Sequence, residues 1–98
     1  MNQPPIYLIV TWKVKQGQVG TVIKHLQEMV PKTRVEAGNL FYTLHQGRDD
    51  DHTIALYEGY KDEAALQAHR DADYFKEIVL GKIVPLLESR EVLLAHPL

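Results

Sequence analysis

The fold is decided by residues 55–75, which read Ala-Leu-Tyr-Glu-Gly-Tyr-Lys-Asp-Glu-Ala-Ala-Leu-Gln-Ala-His-Arg-Asp-Ala-Asp-Tyr-Phe. The stretch begins as an alternating strand and continues as a short amphipathic helix after Lys61. Asp62 is suited to cap that helix, and Glu63 is favourable in its first turn. The sequence therefore predicts a tight strand-to-helix turn that folds one element over the other.

Two polar residues of this stretch lie on faces that are otherwise apolar. Strand side chains alternate, so Glu58 shares its side of the strand with Ile54 and Leu56. Helical spacing places His69 on the same stripe as Leu66. A buried carboxylate needs a partner, and an imidazole can provide one. We therefore predict that Glu58 and His69 interact, either as a catalytic pair or as a structural pair that fixes the helix on the sheet.

Length, charge and composition restrict the class of protein. The 98 residues suit one domain with a single modest core, which we expect to span residues 1–98. The net charge is −2 and the 11 Lys and Arg residues are scattered, which argues against nucleic acid as a partner. Because the chain contains no cysteine, it has no disulfide, no thiolate nucleophile and no sulfur-ligated zinc site.

The N-terminal sequence and the short apolar segments indicate a soluble, cytoplasmic protein. Residues 1–5 read Met-Asn-Gln-Pro-Pro and lack the basic region and apolar run of a secretion signal. No apolar stretch approaches the roughly 20 residues that a membrane-spanning helix requires. We therefore expect no membrane partner.

The first half of the chain predicts a strand, a helix and a second strand. Residues 6–14 alternate as a strand that Gly17 ends, and residues 19–30 show helical spacing of apolar side chains. Pro31 removes a backbone donor, so we expect a kink or break near residues 27–31. Gly38-Asn39 is suited to a left-handed cap at the end of that segment.

The second half supplies the remaining elements. Residues 40–46 and 53–60 predict two strands joined by turn residues, which is typical of an antiparallel hairpin. Residues 75–87 predict a helical stretch that Gly81 interrupts and that bends before Pro85. Residues 91–95 predict a final short strand.

This order of elements predicts an α+β, ferredoxin-like βαββαβ fold with one antiparallel sheet and helices on one face. The opposite face of the sheet carries an alternating set of apolar and aromatic residues, which are Tyr7, Ile9, Thr11, Phe41, Thr43, His45, Ala55, Tyr57 and Leu93. Such a face is too apolar to leave in water. We therefore expect a homodimer in which two sheets form a barrel-like core.

Two blocks of the sequence carry a family resemblance. They read Glu-Ala-Gly-Asn-Leu-Phe-Tyr-Thr-Leu-His at 36–45 and Leu-Tyr-Glu-Gly-Tyr-Lys-Asp-Glu-Ala-Ala-Leu-Gln-Ala-His at 56–69. With Asp-Tyr-Phe at 73–75, they resemble the antibiotic biosynthesis monooxygenase (ABM) domain family. The resemblance implies a dimeric α+β barrel. It is less specific for a reaction, because such proteins include cofactor-free monooxygenases of quinols and phenols, haem-degrading enzymes and an enzyme of sugar-phosphate metabolism.

The haem-degrading branch implies an iron ligand that this sequence lacks. That branch uses a strand Asn, a helix Trp and an axial His, and the aligned positions hold Val10, His69 and Val79. Valine offers no ligand to iron. The sequence also has no Gly-rich nucleotide loop. We therefore expect no cofactor.

The cofactor-free branch implies a base in an apolar pocket. A deprotonated dihydroxyarene can itself reduce dioxygen, so the protein need only supply a base and donors for the developing oxyanion. His69 would take the phenolic proton, while Glu58 would fix its tautomer and stabilise the imidazolium. The predicted contacts to a small aromatic or metabolite ligand are Trp12, Tyr60, Tyr74 and Phe75, with Tyr42 and His45 as further candidates.

Other functions fit the same residues. The chain would also suit a homodimer that binds a small ligand or is structural without turnover, or a metabolite isomerase of the same fold. The aromatic candidates equally suit the core or a dimer interface. The acidic run at 49–52 predicts a solvated hairpin tip rather than a metal site, because consecutive turn residues cannot all face one ion.

Overall fold

A computed structural model describes residues 3–98 and confirms the predicted order of elements. The elements are β1 (Ile6–Val14), α1 (Val19–Arg34), β2 (Asn39–Gln46), β3 (Thr53–Tyr60), α2 (Glu63–Asp71), a π-helix (Phe75–Ile83), a 3₁₀ turn (Val84–Leu86) and β4 (Leu87–Ala95). The strands form one antiparallel sheet in the order β2-β3-β1-β4. This is the predicted ferredoxin-like α+β fold. None of the helices within residues 3–98 combines the length and the apolarity needed to cross a membrane.

The core lies between the helices and one face of the sheet. Every second residue of β1 is buried, from Ile6 to Val14, and α1 adds the fully buried Val22 and Met29. Each such side chain contributes roughly 1.5–3 kcal/mol of stabilisation by leaving water. Besides Thr33, the buried polar residues among those described are Glu58 and His69. The two residues singled out from the sequence are therefore exceptions in an apolar interior.

We predicted a kink or a break near residues 27–31, and no break occurs, because helix α1 continues through Pro31. Proline deprives the carbonyl of Gln27 of its helical hydrogen bond. Gln27 is exposed, so water can replace the lost donor. Met29 and Thr33, which flank the proline, are both completely buried. Packing of this last turn on the core therefore outweighs the local cost of the proline.

Gly38 does not form the left-handed cap that we predicted. Among residues 3–98, positive φ occurs only at Gly17, where it is 80° and forms the turn between β1 and α1. Helix α1 instead ends at Val35 in a right-handed conformation. Glycine is required at position 38 for another reason, because a Cβ there would collide with the side chain of Ala65 on α2. Gly38 thus allows the segment after α1 to approach α2 closely.

The C-terminal helical region differs in detail from its prediction. Gly81 lies inside the π-helix and does not interrupt it, and Pro85 lies in the 3₁₀ turn that leads to β4. Strand β4 begins at Leu87 rather than at residue 91. It is the edge strand next to β1, and Val92, Leu93 and Leu94 are all at least half exposed. Neither face of the outer part of β4 is therefore covered within one chain.

The outer face of the sheet carries the predicted apolar and aromatic set. Strand pairing places Tyr7, Gly59 and Phe41 in one row, and Ile9 with Tyr57 in the next. The aromatic rings of Tyr7, Phe41 and Tyr57 contact one another, and the ring centroids of Phe41 and Tyr57 are 4.6 Å apart. Ile9 remains 45% exposed and Tyr57 41% exposed. A single chain therefore leaves a large apolar surface in water.

Candidate active site

A cavity of about 500 Å³ lies between the helix-facing side of the sheet, α2 and the π-helix. Its polar lining comes from three elements, with Glu58 on β3, His69 and Arg70 on α2, and Arg90 on β4. Its apolar lining consists of Leu8, Val10, Trp12, Phe75, Val79, Leu80 and Val92. Mostly apolar walls with a few polar groups are typical of sites for small organic molecules.

The imidazole of His69 is held by Glu36, which lies just after α1. Its Nδ1 is 2.9 Å from Oε2 and 3.2 Å from Oε1 of that carboxylate. The side chain of His69 is 3% exposed and that of Glu36 19% exposed. A neutral imidazole that donates from Nδ1 carries its lone pair on Nε2. Glu36 therefore fixes the tautomer in which Nε2 is the basic atom.

Glu58 lies on the opposite side of the imidazole. Its Oε1 is 3.8 Å from Nε2 of His69, which confirms the predicted proximity but exceeds hydrogen-bonding distance. The same oxygen accepts a hydrogen bond from the hydroxyl of Tyr60 at 2.8 Å. The prediction that Glu58 fixes the tautomer is wrong, because Glu36 makes that hydrogen bond. Sequence reasoning missed Glu36, although it is the first residue of the block at 36–45.

The electrostatics of the cavity favour a protonated Glu58. Burial raises the pKa of this carboxyl group, and the Tyr60 hydrogen bond and electrostatic interactions with the nearby His69 and Arg70 offset that effect only in part. Burial and the adjacent Glu58 also raise the pKa of Tyr60, which therefore remains a donor. A hydrogen-bonded imidazole and a carboxyl group that retains its proton above the usual range thus face the same space.

The predicted aromatic contacts divide between the cavity and the core. Trp12 and Phe75 line the cavity, and the ring of Phe75 meets that of His69 edge-on at a centroid distance of 5.0 Å. Tyr60 and Tyr42 are almost completely buried, with centroids 5.1 and 6.3 Å from that of His69. Burial is also the main cause that raises the pKa of Tyr42. These two tyrosines support the imidazole from the core, and so they are not the cavity walls that we predicted.

The structure also separates Tyr74 from the cavity. Tyr74 lines a different groove, and its hydroxyl donates to the carbonyl of Lys32 at 3.3 Å. The predicted phase fails because α2 ends at Asp71 and a helix of different periodicity begins at Phe75. His45 is exposed on β2 and lines a shallow groove beside α1. Neither Tyr74 nor His45 is brought next to His69.

The family model described as "Antibiotic biosynthesis monooxygenase" matches residues 5–79. The chain belongs to the ABM family. It is 31% identical over 67 residues to "Putative monooxygenase YcnE" of Bacillus subtilis (strain 168), which covers 68% of this chain and 70% of that protein.

Solved structures confirm the fold of this ABM domain. The crystal structure of PA3566 from Pseudomonas aeruginosa superposes with a TM-score of 0.90 at 31% identity, covering 100% of this chain and 98% of that one. The crystal structure of SO0527 from Shewanella oneidensis gives a TM-score of 0.91 at 30% identity, covering 98% and 93% of the two chains. The family and the name of the curated relative support a monooxygenase-type protein and leave the substrate open.

Two arginines of this ABM domain line the cavity and were not singled out from the sequence. Arg70 follows His69 on α2, and Arg90 is the cross-strand neighbour of Trp12. Arg70 is half-buried and Arg90 is exposed. Arginines at exposed or half-buried positions are common on any protein surface, so the sequence alone does not mark these two as cavity residues.

The cavity of this ABM domain does not offer haem the ligand of the haem-degrading branch. The aligned position holds Val79, which lines the cavity with an apolar side chain. Valine has no atom that can coordinate iron.

A group of potential metal ligands lies elsewhere, on the turn between β2 and β3. Three residues each offer one possible ligand atom, and these atoms lie within 4.8 Å of one another; the residues are Asp50, Asp51 and His52. The carboxylate of Asp50 already accepts hydrogen bonds from Lys13 and Thr53. The bond from Lys13 is the main cause that lowers the pKa of Asp50 to about 2. The turn is therefore organised by its own hydrogen bonds, and both aspartates are exposed, as predicted for a solvated tip.

Proposed function

We propose that this ABM domain is a cofactor-independent monooxygenase that oxidises a small phenolic or quinol-type substrate in the cavity beside His69. The observation that carries the proposal is the arrangement of His69. Its Nδ1 is hydrogen-bonded to the Glu36 carboxylate, while the residue itself lines an apolar cavity of about 500 Å³. A buried base with a fixed tautomer, in a space suited to an aromatic molecule, provides what the activation of a phenol requires.

The apolar walls would bind the aromatic body of the substrate. Trp12 and Phe75 provide ring surfaces, and Leu8, Val10 and Val79 provide aliphatic ones. Exclusion of water strengthens the electrostatic interactions inside the cavity and protects reactive intermediates. A hydroxyl of the bound substrate would then point toward Nε2 of His69.

Proton transfer starts the reaction. Nε2 accepts the hydroxyl proton of the substrate, and the Glu36 carboxylate stabilises the resulting imidazolium through Nδ1. The phenolate is electron-rich and transfers one electron to dioxygen. The radical pair then combines to form a carbon–oxygen bond. His69 therefore acts on the substrate directly, and Glu36 acts through His69.

The second half of the reaction balances without a cofactor. The oxygen–oxygen bond breaks as a carbonyl forms on the ring, which loses its proton at that carbon. One oxygen atom stays in the quinone product and the other leaves as water, with all electrons supplied by the substrate. Glu58 is placed to deliver a proton to the departing oxygen, because burial raises the pKa of its carboxyl group and its Oε1 lies 3.8 Å from Nε2 of His69 in the same cavity.

The test is oxygen uptake by the purified protein with a panel of phenols and quinols, and with ¹⁸O₂ to trace the oxygen atom into the product. His69→Gln should lower turnover by about 10²–10⁴-fold, which is typical of a lost general base. The matched control is His52→Gln, which removes an imidazole on the turn between β2 and β3, outside the cavity lining, and should leave the rate unchanged. Uptake that survives His69→Gln, or a wild-type protein that consumes no oxygen with any of the panel, would contradict the proposal.

One observation also favours an isomerase of the same fold. The basic Nε2 of His69 and the carboxyl group of Glu58 lie 3.8 Å apart in the same cavity, so they could move a proton between two atoms of one substrate. Such a reaction needs no oxygen. Turnover that continues under nitrogen, with solvent deuterium incorporated into the product, would identify this second function.

A further inference from the structure

We propose that the substrate of this cavity carries an anionic group, a carboxylate or a phosphate, which Arg70 and Arg90 bind. The inference deepens the proposed function by naming a substrate class, and it rests on that function only in assigning the ligand to the same cavity. The anion would lie toward the exposed Arg90, and the apolar body would extend toward Trp12 and Phe75.

The charges that line the cavity favour an anion. Two guanidinium groups face it, and Glu58 is the one acidic residue of the lining. Burial raises the pKa of Glu58, which weakens its negative charge. The chain as a whole has a formal net charge of −2. The cavity is therefore a positively charged site on a protein of the opposite sign.

Neither guanidinium makes a hydrogen bond or an ion pair with the described residues, although Arg70 is close enough to Glu58 to interact with it electrostatically. Two other arginines within residues 3–98 do have partners. Arg34 donates to the carbonyl of Tyr42, and Arg48 forms an ion pair with Asp49. Arg70 and Arg90 have no such partner among these residues. A guanidinium offers five N–H donors in a planar arrangement that matches the oxygens of a carboxylate or phosphate. Two of them at one cavity leave their donors available to a ligand.

A structural explanation covers only one of the two residues. Arg70 lies in the last turn of α2, where a cation is favourable next to the helix dipole. Arg90 lies on β4, and alternation places it on the same side of the strand as Val92, which also lines the cavity. No helix terminus accounts for Arg90. Their convergence from different elements therefore points to a ligand.

The experiment is calorimetric titration of the full chain with three probes of the same shape. These are 2-naphthoate, 2-naphthyl phosphate and the uncharged 2-naphthamide. At least one anion should bind about tenfold more tightly than the amide, because charge-assisted hydrogen bonds are stronger than neutral ones. The anion that binds with the higher affinity shows whether the site suits a carboxylate or a phosphate.

Single substitutions then assign the preference to the two residues. Arg70→Gln and Arg90→Gln should each lower the affinity for the preferred anion by about tenfold and leave the affinity for the amide nearly unchanged. Lys24→Gln is the matched control, because it removes an exposed cation of α1 that does not line the cavity. Melting temperatures of all variants verify that they fold.

Three results would overturn the inference. They are equal affinities for the anions and the amide, an effect of the arginine substitutions no larger than that of Lys24→Gln, and no anion binding at millimolar concentration. Oxygen uptake is measured separately on the same proteins. An arginine-dependent preference for anions in a protein that consumes no oxygen would uphold this inference and reject the monooxygenase function, so the two failures are distinguishable.

Discussion

His69 lies between two carboxyl groups that have different environments. Glu36 is hydrogen-bonded to Nδ1 at 2.9 Å, and its side chain is partly exposed. Glu58 is buried, accepts from Tyr60, and has a raised pKa. When two carboxyl groups of one site lie in different environments, one commonly acts as an acid and the other as an electrostatic stabiliser. The asymmetry around one imidazole is therefore the main chemical feature of this chain.

Glu36→Gln should slow turnover by at least about tenfold and change the melting temperature little. A glutamine can still accept the Nδ1 hydrogen bond, but its neutral amide does not stabilise an imidazolium. Turnover and thermal unfolding are measured on the same preparation. Glu28→Gln is a close control, because Glu28 lies 3.6 Å from Nδ1 of His25 on the surface of α1. Loss of stability in Glu36→Gln with unchanged turnover would indicate a purely structural pair.

Glu58→Gln should become more stable relative to wild type as the pH rises from about 4.5. The raised pKa means that folded Glu58 keeps its proton above pH 4.5, the ordinary pKa of a glutamate, while unfolded Glu58 loses it. In that window the folded state binds more protons, so raising the pH favours unfolding of the wild type. Glutamine cannot titrate, so the difference in the free energy of unfolding should grow as the pH rises from about 4.5 and level off above the folded pKa.

The measurement is urea denaturation at a series of pH values from 4 to 8, with Glu88→Gln as an exposed control. The difference in the free energy of unfolding between Glu88→Gln and the wild type should stay nearly constant over the same range. A Glu58→Gln curve that runs parallel to that of the wild type would show that Glu58 ionises in the folded state as it does in water.

Among the elements, the segment between α1 and β2 determines where Glu36 lies. It approaches α2 so closely that Gly38 leaves no room for a side chain next to Ala65. The backbone N–H of Lys61 also donates to the carbonyl of Gly38 at 2.9 Å, which joins this segment to the start of α2. The distance between Glu36 and His69 therefore depends on packing at a glycine two residues away.

Gly38→Ala should destabilise the protein by about 1–3 kcal/mol, which is typical of overpacking in a close contact, and should reduce turnover by displacing Glu36. Gly20→Ala is the matched control, because a Cβ there meets nothing within 4 Å and Gly20 lies in α1. That control should stabilise the protein by roughly 0.5–1 kcal/mol through helix propensity. Equal effects of the two substitutions would contradict the proposed contact with Ala65.

Local patterns predicted the features that depend on neighbouring residues. Alternation gave the bounds of β3, and the Asp62 cap forms as expected, since its carboxylate accepts from the backbone N–H of Ala65 at 2.8 Å. Glu36 escaped prediction because 33 residues separate it from His69, and no local pattern joins them. Tyr74 was misplaced because the chain changes helical period after α2.

At the scale of the whole molecule, the exposed outer face predicts a stable homodimer. The interface should bury well over ~1,600 Å², the range of obligate pairs. Tyr57→Asp would place a charge in the centre of that face and should convert the dimer to a monomer, and Phe41→Asp should act likewise. Light scattering after size exclusion measures the mass, and Val35→Asp, at an exposed site after α1, serves as the control. A wild-type mass of 11.2 kDa would reject the dimer.

Strand β1 is the first element of the chain, yet it pairs with β3 on one side and with β4 on the other. Tyr7 lies opposite Gly59 and Ala95, so both of its neighbours come much later in the sequence. During synthesis on the ribosome, the apolar β1 therefore has no strand partner until β3 emerges, and the sheet cannot be completed before β4 has emerged. Non-local pairing of this kind slows folding and prolongs the exposure of an unpaired strand. This chain should depend on chaperones most strongly while it is being made.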